Sequence, residues 1–208
     1  CLGLTLSRGS LLGVSVALAV IATLRYRRLW PLLLGIALLV LIAPPTQGYV
    51  AHLLEGLRRE DLATQMRFGE YKDALILIGR YPWLGVGFSG SPDIDTYIGV
   101  SNVYLLIAEQ MGLLGLAGFA AVVAVFLARF VRARRQALAR PDIEPLWWGL
   151  HAGILGALVG GIFDHYFFNL DFHHSVTLFW LAIGLATAAT ELVRRPPRDA
   201  AAENVMPA

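Results

Sequence analysis

The sequence predicts an all-α fold: a helical bundle that crosses a membrane several times, with one large loop on the extracytoplasmic side. Hydrophobic residues make up 57% of the chain and charged residues 15%, and the mean hydropathy is +0.62. Soluble domains average about 25% charged residues, so this composition excludes an ordinary soluble protein. A membrane-spanning helix needs about 20 apolar residues. Apolar runs near that length occur at 9–24, 29–45, 103–128, 146–163 and 175–190.

These runs divide the chain into four predicted parts. Residues 1–45 contain two transmembrane helices, 46–101 the large loop, 102–193 three transmembrane helices and 194–208 a polar cytoplasmic tail. The chain starts within an apolar segment, without an initiator Met or a charged leader, so we expect it to be part of a longer protein. Its single cysteine, Cys1, provides neither a disulfide framework nor a metal-binding set.

The arginines predict how the bundle is oriented. They are concentrated in alternate segments between the apolar runs, around residues 25–28, 129–140 and 194–198. The positive-inside rule places these three segments in the cytoplasm. Loop 46–101 and the turn 164–174 then lie on the opposite side of the membrane. Because the arginines are distributed by topology and not gathered on one face, no nucleic-acid partner is predicted.

The large loop has two halves with different patterns. Apolar residues recur at helical spacing between residues 49 and 78, which predicts two amphipathic helices near the membrane surface. From Arg80 onward the segment is rich in Gly, Pro, Ser and Asp, which is typical of an ordered loop. Within it, Pro82, Gly85 and Gly87 are expected to set the turn geometry.

Three sequence blocks, in this order along the chain, point to a family. They are TLSRGSLLG, RFGEYKDALILIGRYPWLGVGFSG and SNVYLLIAEQMGLLGLAGF. Together they resemble the O-antigen ligase and O-antigen polymerase family, and the resemblance covers most of the chain. It implies the C-terminal portion of a multi-pass protein of the bacterial cytoplasmic membrane.

The resemblance implies glycosyl transfer from an undecaprenyl-diphosphate-linked oligosaccharide to a lipid or glycan acceptor, without a metal or another cofactor. By motif position, Arg8 and Arg67 match the family's two donor-binding arginines. One guanidinium group can bind two phosphate oxygens at once, and it stabilises the negative charge that grows on a diphosphate leaving group. Arg80, immediately before the glycine-rich loop, is a third candidate for the diphosphate.

The chain departs from the family pattern at Ser101. The ligase branch has a His at this position, followed by Asn, nine residues and Gly, and only Asn102 and Gly112 of that pattern are present. Imidazole suits the deprotonation of an acceptor hydroxyl near neutral pH, whereas serine needs another group to take the proton. The difference favours a polymerase over a ligase. The candidate replacements on the same side of the membrane are Asp95, Asp164 and His165.

Two other polar residues lie within apolar runs. Glu109 indicates either a polar bundle interior or an interfacial first turn, and His151 is expected at the cytoplasmic interface. The cluster DHYFFNLDFHH contains possible ligands, but its spacing matches no zinc pattern, so no metal is predicted.

Two functions of other classes remain open. A transporter or flippase would use the same basic surface for the lipid-linked sugar, and it would require charged mid-span residues and paired broken helices. A non-catalytic membrane subunit of a polysaccharide assembly complex would dock a partner enzyme on the loop, and the loss of the histidine is compatible with that function.

Overall fold

The computed structural model describes residues 7–48, 50–51, 54, 62–88 and 100–195, and this part of the chain is helical, without a β-strand. Its main helices are α1 Arg8–Leu24, α2 Leu29–Ile42, α3 Leu62–Arg80, α4 Val103–Leu138, α5 Glu144–Gly160 and α6 His173–Arg194. Short 3₁₀ turns occur at Pro44–Thr46 and Leu170–Phe172. The all-α prediction is confirmed for these residues. The predicted helix between residues 49 and 61 and the tail beyond Arg195 lie largely outside them.

Among the described residues, two segments are long and apolar enough to cross a membrane by length and composition, namely α4 and Leu170–Arg194. Gly9–Leu24 and Leu29–Ile42 are apolar but shorter. Helix α2 buries none of its residues, and Leu39 and Ile42 are 66% and 67% exposed. Such a continuous apolar surface is unusual for a soluble monomer and fits contact with lipid.

Helices α1 and α5 run antiparallel in close contact. A Cβ atom on Gly13 would lie 2.9 Å from the carbonyl oxygen of Gly156, so side chains larger than hydrogen would separate the two backbones. Small residues at helix crossings give this close packing in membranes. At the other end of the pair, the Arg25 guanidinium binds both carboxylate oxygens of Glu144, with Nη2 to Oε2 at 3.1 Å.

Helices α4, α5 and α6 share an apolar core around Ile107, Phe119, Ile154 and Phe179. The two ends of this bundle differ in composition. We call the end that contains residues 101–103 and 160–165 the Asn102 end, and the end with Arg25, Glu144 and the last turn of α6 the Arg25 end.

His151, expected at the cytoplasmic interface, lies inside the bundle and is 1% exposed. Its ring stacks on Phe126 and Phe130, and Nδ1 lies 2.7 Å from the Trp147 carbonyl oxygen. The Thr190 hydroxyl accepts a 2.9 Å hydrogen bond from Trp147 Nε1 and lies 3.4 Å from His151 Nε2. A histidine is accommodated here because both of its ring nitrogens face polar atoms inside the bundle.

Several arginines at the Arg25 end have structural partners. Arg129 pairs with Glu191. Arg140 pairs with Asp142 and also donates to the carbonyl oxygens of Leu192 and Arg195, at 3.1 and 2.9 Å. Arg140 therefore adds hydrogen bonds to backbone carbonyl groups at the C-terminal end of α6.

Candidate functional site

Asn102 fixes the start of α4. Its side-chain oxygen accepts hydrogen bonds from the backbone nitrogens of Tyr104 and Leu105, at 2.9 and 3.0 Å. Its amide nitrogen donates to the carbonyl oxygen of Ile162 at 2.9 Å. Asn is a favoured N-cap residue because its short side chain reaches the first free N–H groups of a helix. Here the same side chain also ties α4 to the segment that follows α5.

Gly112 interrupts α4, ten residues after the cap. Its φ is +69°, a left-handed backbone conformation that favours glycine. The break separates Val103–Met111 from a longer apolar stretch that begins at Leu113.

The segment 82–87, which we call the insertion loop, fills this break. Pro82 accepts a 2.7 Å hydrogen bond from the Leu113 nitrogen, and Val86 donates to the Glu109 carbonyl oxygen at 2.8 Å. Gly87 donates to the Gln110 carbonyl oxygen at 2.9 Å. The loop thus supplies donors and acceptors that the backbone of α4 lacks at the break. Pro82, Gly85, Gly87 and Gly112 meet within one backbone unit.

Helix α3 holds residue 101 through two neighbouring side chains. Glu70 Oε2 accepts a hydrogen bond from the Ser101 nitrogen at 2.8 Å, and Glu70 is only 8% exposed. The Tyr71 hydroxyl lies 3.4 Å from the Ser101 carbonyl oxygen and 3.3 Å from that of Ile162. The Ser101 peptide is therefore contacted on both its N–H and its C=O side by α3.

Arg67 belongs to the same face of α3 as Glu70 and Tyr71, because residues three and four apart are neighbours on a helix. It is partly exposed. Partial burial raises the pKa of Tyr71 above its usual value, and the nearby Arg67 charge opposes this rise without cancelling it. Arg67 is thus close to the group that contacts Ser101.

The remaining donor-binding candidates, Arg8 and Arg80, lie on two different helices, and one acid–base candidate lies outside the described residues. Arg8 is the first residue of α1, and its side chain lies outside the described part of the structure. Ser7 Oγ caps the helix by accepting from the Ser10 nitrogen at 3.3 Å. Arg80 is exposed at the C-terminal end of α3. Asp95 lies outside the described residues.

Asp164 and His165 follow α5 at the Asn102 end. The Asp164 carboxylate accepts a 2.8 Å hydrogen bond from the His165 backbone nitrogen, and His165 Nδ1 lies 4.0 Å from the same oxygen. A Cβ atom on Gly9 would lie 3.5 Å from Phe163 Cβ. The start of α1, which carries Arg8, therefore packs directly beside the residue before Asp164.

A groove of about 260 Å³ runs between α1 and α5 and reaches Asp164. Its walls are mostly glycine and alanine with a few larger apolar side chains. They comprise Gly9, Ser10, Gly13, Val14, Ala17, Gly153, Gly156, Ala157, Gly160, Asp164, Tyr166 and Phe167. The groove is apolar along its length, and Ser10 and Asp164 are its polar groups.

Within the described ranges, no three His, Cys, Asp or Glu side chains lie close enough together to hold a metal ion. Glu70 was not predicted as a site residue, because its place beside Ser101 depends on the packing of α3. The one signal in the sequence is its spacing of three residues from Arg67, which puts both on one helix face.

The comparison with known proteins identifies the family. A family model described as O-antigen ligase matches residues 1–120. The chain belongs to the O-antigen ligase family. No curated protein matches it.

Family membership and the apolar helices make this a bacterial membrane protein of polysaccharide biosynthesis, in a family that performs glycosyl transfer. The matched residues include α1, α3, the insertion loop and the broken part of α4. They carry Arg8, Arg67, Ser101, Asn102 and Gly112, so the motif positions lie inside the matched region.

Proposed function

We propose that this protein transfers a glycan from an undecaprenyl-diphosphate-linked oligosaccharide to a hydroxyl group of a lipid or glycan acceptor. The observation that carries the proposal is the hydrogen bond from Ser101 to Glu70, one helical turn from Arg67. This hydrogen bond links α3, which carries the matched donor-binding Arg67, to Ser101, the position of the histidine in the ligase pattern. The start of α1, with Arg8, lies at the same end of the bundle through its contact near Phe163.

Arg8 and Arg67 hold the donor diphosphate in this proposal. Arg80, at the far end of α3 from Arg67, adds positive charge on the same side of the membrane. Their guanidinium groups pair with phosphate oxygens and stabilise the negative charge that the departing diphosphate gains. No metal ion or other cofactor is required, because the arginine side chains neutralise the negative charge of the diphosphate.

The groove between α1 and α5 receives the start of the donor's isoprenoid chain. Its apolar walls suit a hydrocarbon, and it ends at Asp164, beside the first turn of α1 that carries Arg8. A diphosphate at Arg8 is then adjacent to the polar end of the groove, and the lipid chain runs along α1 away from it.

The Asn102 end faces the extracytoplasmic side of the cytoplasmic membrane, and the arginine-rich Arg25 end faces the cytoplasm. Asp95, Asp164 and His165 are acid–base candidates on the extracytoplasmic side. Ser101 favours a polymerase, which extends a glycan on its carrier, over a ligase that uses the family's histidine.

The test is made in cells that lack the native gene. The complete natural protein is expressed as wild type, Arg8→Ala or Arg67→Ala, and the extracted surface glycans are compared on a gel. Arg132→Ala, at an exposed position near the opposite end of α4, removes the same charge as a control.

Each outcome of this experiment points to a different function. Loss of long chains, with a single lipid-linked repeat retained, supports a polymerase. Long chains that accumulate on the carrier support a ligase. A pattern unchanged in both arginine variants contradicts the proposal and favours a non-catalytic subunit. Accumulation of the single repeat on the cytoplasmic leaflet favours a flippase.

A further inference from the structure

The proposed reaction needs a group that takes the proton from the acceptor hydroxyl. In the ligase pattern that group is a histidine at the position of Ser101, and serine cannot perform this role alone. The carboxylate that contacts residue 101 from α3 is that of Glu70, with Oε2 at 2.8 Å from the Ser101 nitrogen. A carboxylate thus lies beside the backbone of the position where the histidine is missing.

Glu70 also has the capacity to bind a second donor. An ionised carboxylate has about four lone-pair positions for hydrogen bonds, and the Ser101 N–H occupies one of them. Glu70 is 92% buried, since 8% of it is exposed, and it lies beside the apolar cluster of Ala74, Val100 and Leu106. Water competes poorly in such a place, which strengthens a hydrogen bond from an acceptor hydroxyl.

The neighbours of Glu70 place it next to the donor. Arg67 is on the same face of α3, one turn earlier, so a diphosphate bound there lies within one helical turn of the Glu70 carboxylate. Ser101 is partly exposed and small. A serine side chain at this position takes less room than an imidazole would.

We infer that Glu70 is the catalytic base of this protein and replaces the histidine of the ligase pattern. This inference rests on the proposed function. The acceptor oxygen forms a bond to the anomeric carbon as its proton passes to the Glu70 carboxylate. The bond between that carbon and the phosphate oxygen breaks, and undecaprenyl diphosphate leaves with the electron pair. The proton is released to water after the product departs.

The central experiment reconstitutes the complete natural protein in proteoliposomes with undecaprenyl-diphosphate-linked oligosaccharide. The variant Glu70→Gln keeps nearly the same shape and an oxygen that accepts the Ser101 N–H, but it cannot take a proton. We expect kcat to fall by about 100- to 10,000-fold, the usual contribution of a general base. The KM for the donor is expected to stay within about threefold, because Gln preserves the helix that carries Arg67.

The matched control is Tyr71→Phe, which weakens the other contact of α3 with the Ser101 peptide and leaves the carboxylate in place. We expect its kcat to stay within about tenfold of wild type, the size of one lost hydrogen bond. In the double variant Glu70→Gln with Ser101→His, we expect the imidazole to raise kcat at least tenfold above that of Glu70→Gln alone. The restored activity rises with pH as the imidazole becomes neutral.

These results separate the base from a positioning role and from failure of the proposed function. An active wild type with an equally active Glu70→Gln variant overturns the inference and leaves the proposed function standing. Equal losses in Glu70→Gln and Tyr71→Phe, without rescue by Ser101→His, also overturn it, since Glu70 then only positions the peptide. A wild type that transfers no glycan overturns both.

Discussion

Gly85 and Gly112 approach so closely that neither position has room for a side chain. A Cβ atom on Gly85 would lie 2.6 Å from the Gly112 nitrogen, and a Cβ atom on Gly112 would lie 2.5 Å from the Leu84 nitrogen. Both residues have positive φ, +68° and +69°. The contact joins the insertion loop to the broken part of α4, and through α4 it is connected to the Asn102 cap and Ser101.

Replacing Gly112 with Ala is therefore expected to destabilise the protein strongly. The left-handed conformation alone costs a residue with a side chain about 1–2 kcal/mol, and the clash with the insertion loop adds to it. Gly118→Ala is the control, because it lies in the same helix with open space around its Cβ position. Unfolding in detergent, followed by circular dichroism, measures the difference. Equal stabilities of the two variants would contradict the close contact.

Asn102 caps α4 and also donates a hydrogen bond to Ile162, and different substitutions remove one or both of these interactions. Asn102→Ala removes the cap and the bond to Ile162, with an expected loss of about 0.5–2 kcal/mol for the cap and about 1 kcal/mol for the second hydrogen bond. Asn102→Asp keeps an oxygen for the Tyr104 and Leu105 nitrogens but loses the donor to Ile162. Chemical denaturation should rank wild type, Asp and Ala in that order. An Asp variant as unstable as Ala would show that capping contributes little.

The sequence indicated the helices well and the site only in part. The apolar run 9–24 corresponds to α1 almost residue for residue, because hydropathy depends on local composition. The break at Gly112 was not predicted, since a lone glycine is tolerated in a helix and the loop that fills the break is about 25 residues away in sequence. For a related reason, neither the site position of Glu70 nor the burial of His151 was predicted: the burial of one polar side chain depends on tertiary packing.

Asp142 gives a prediction for the dependence of stability on pH. The hydrogen bonds from Arg140 lower the pKa of Asp142 below its usual value of about 3.9. A lowered folded-state pKa contributes stability above the unfolded-state pKa, and this contribution is lost as the pH falls through the folded-state pKa. We expect wild type to unfold at a higher temperature than Asp142→Asn at pH 7, with the gap closing below about pH 4. The Asp142 side chain is 57% exposed, so salt should also reduce the gap.

Arg140→Ala provides the comparison for this pair. Arg140 also donates to the carbonyl oxygens of Leu192 and Arg195, and those bonds do not depend on the charge of Asp142. The Ala variant should therefore remain less stable than wild type at every pH, including pH values where Asp142→Asn and wild type coincide. A gap between wild type and Asp142→Asn that does not change with pH would contradict the assigned pKa direction.

The groove between α1 and α5 can be filled without disturbing the helices. Gly153 lines the groove and has open space around its Cβ position, so Gly153→Leu should place an apolar side chain in the path of the isoprenoid. We expect the KM for the lipid-linked donor to rise about tenfold, with unchanged stability. Gly149→Leu is the matched control, one turn earlier on α5, with equally open space but outside the groove. Transfer assays in proteoliposomes decide between them. Equal KM values for both variants would exclude this groove as the lipid path, because the new leucine side chain would occupy space that the hydrocarbon chain needs.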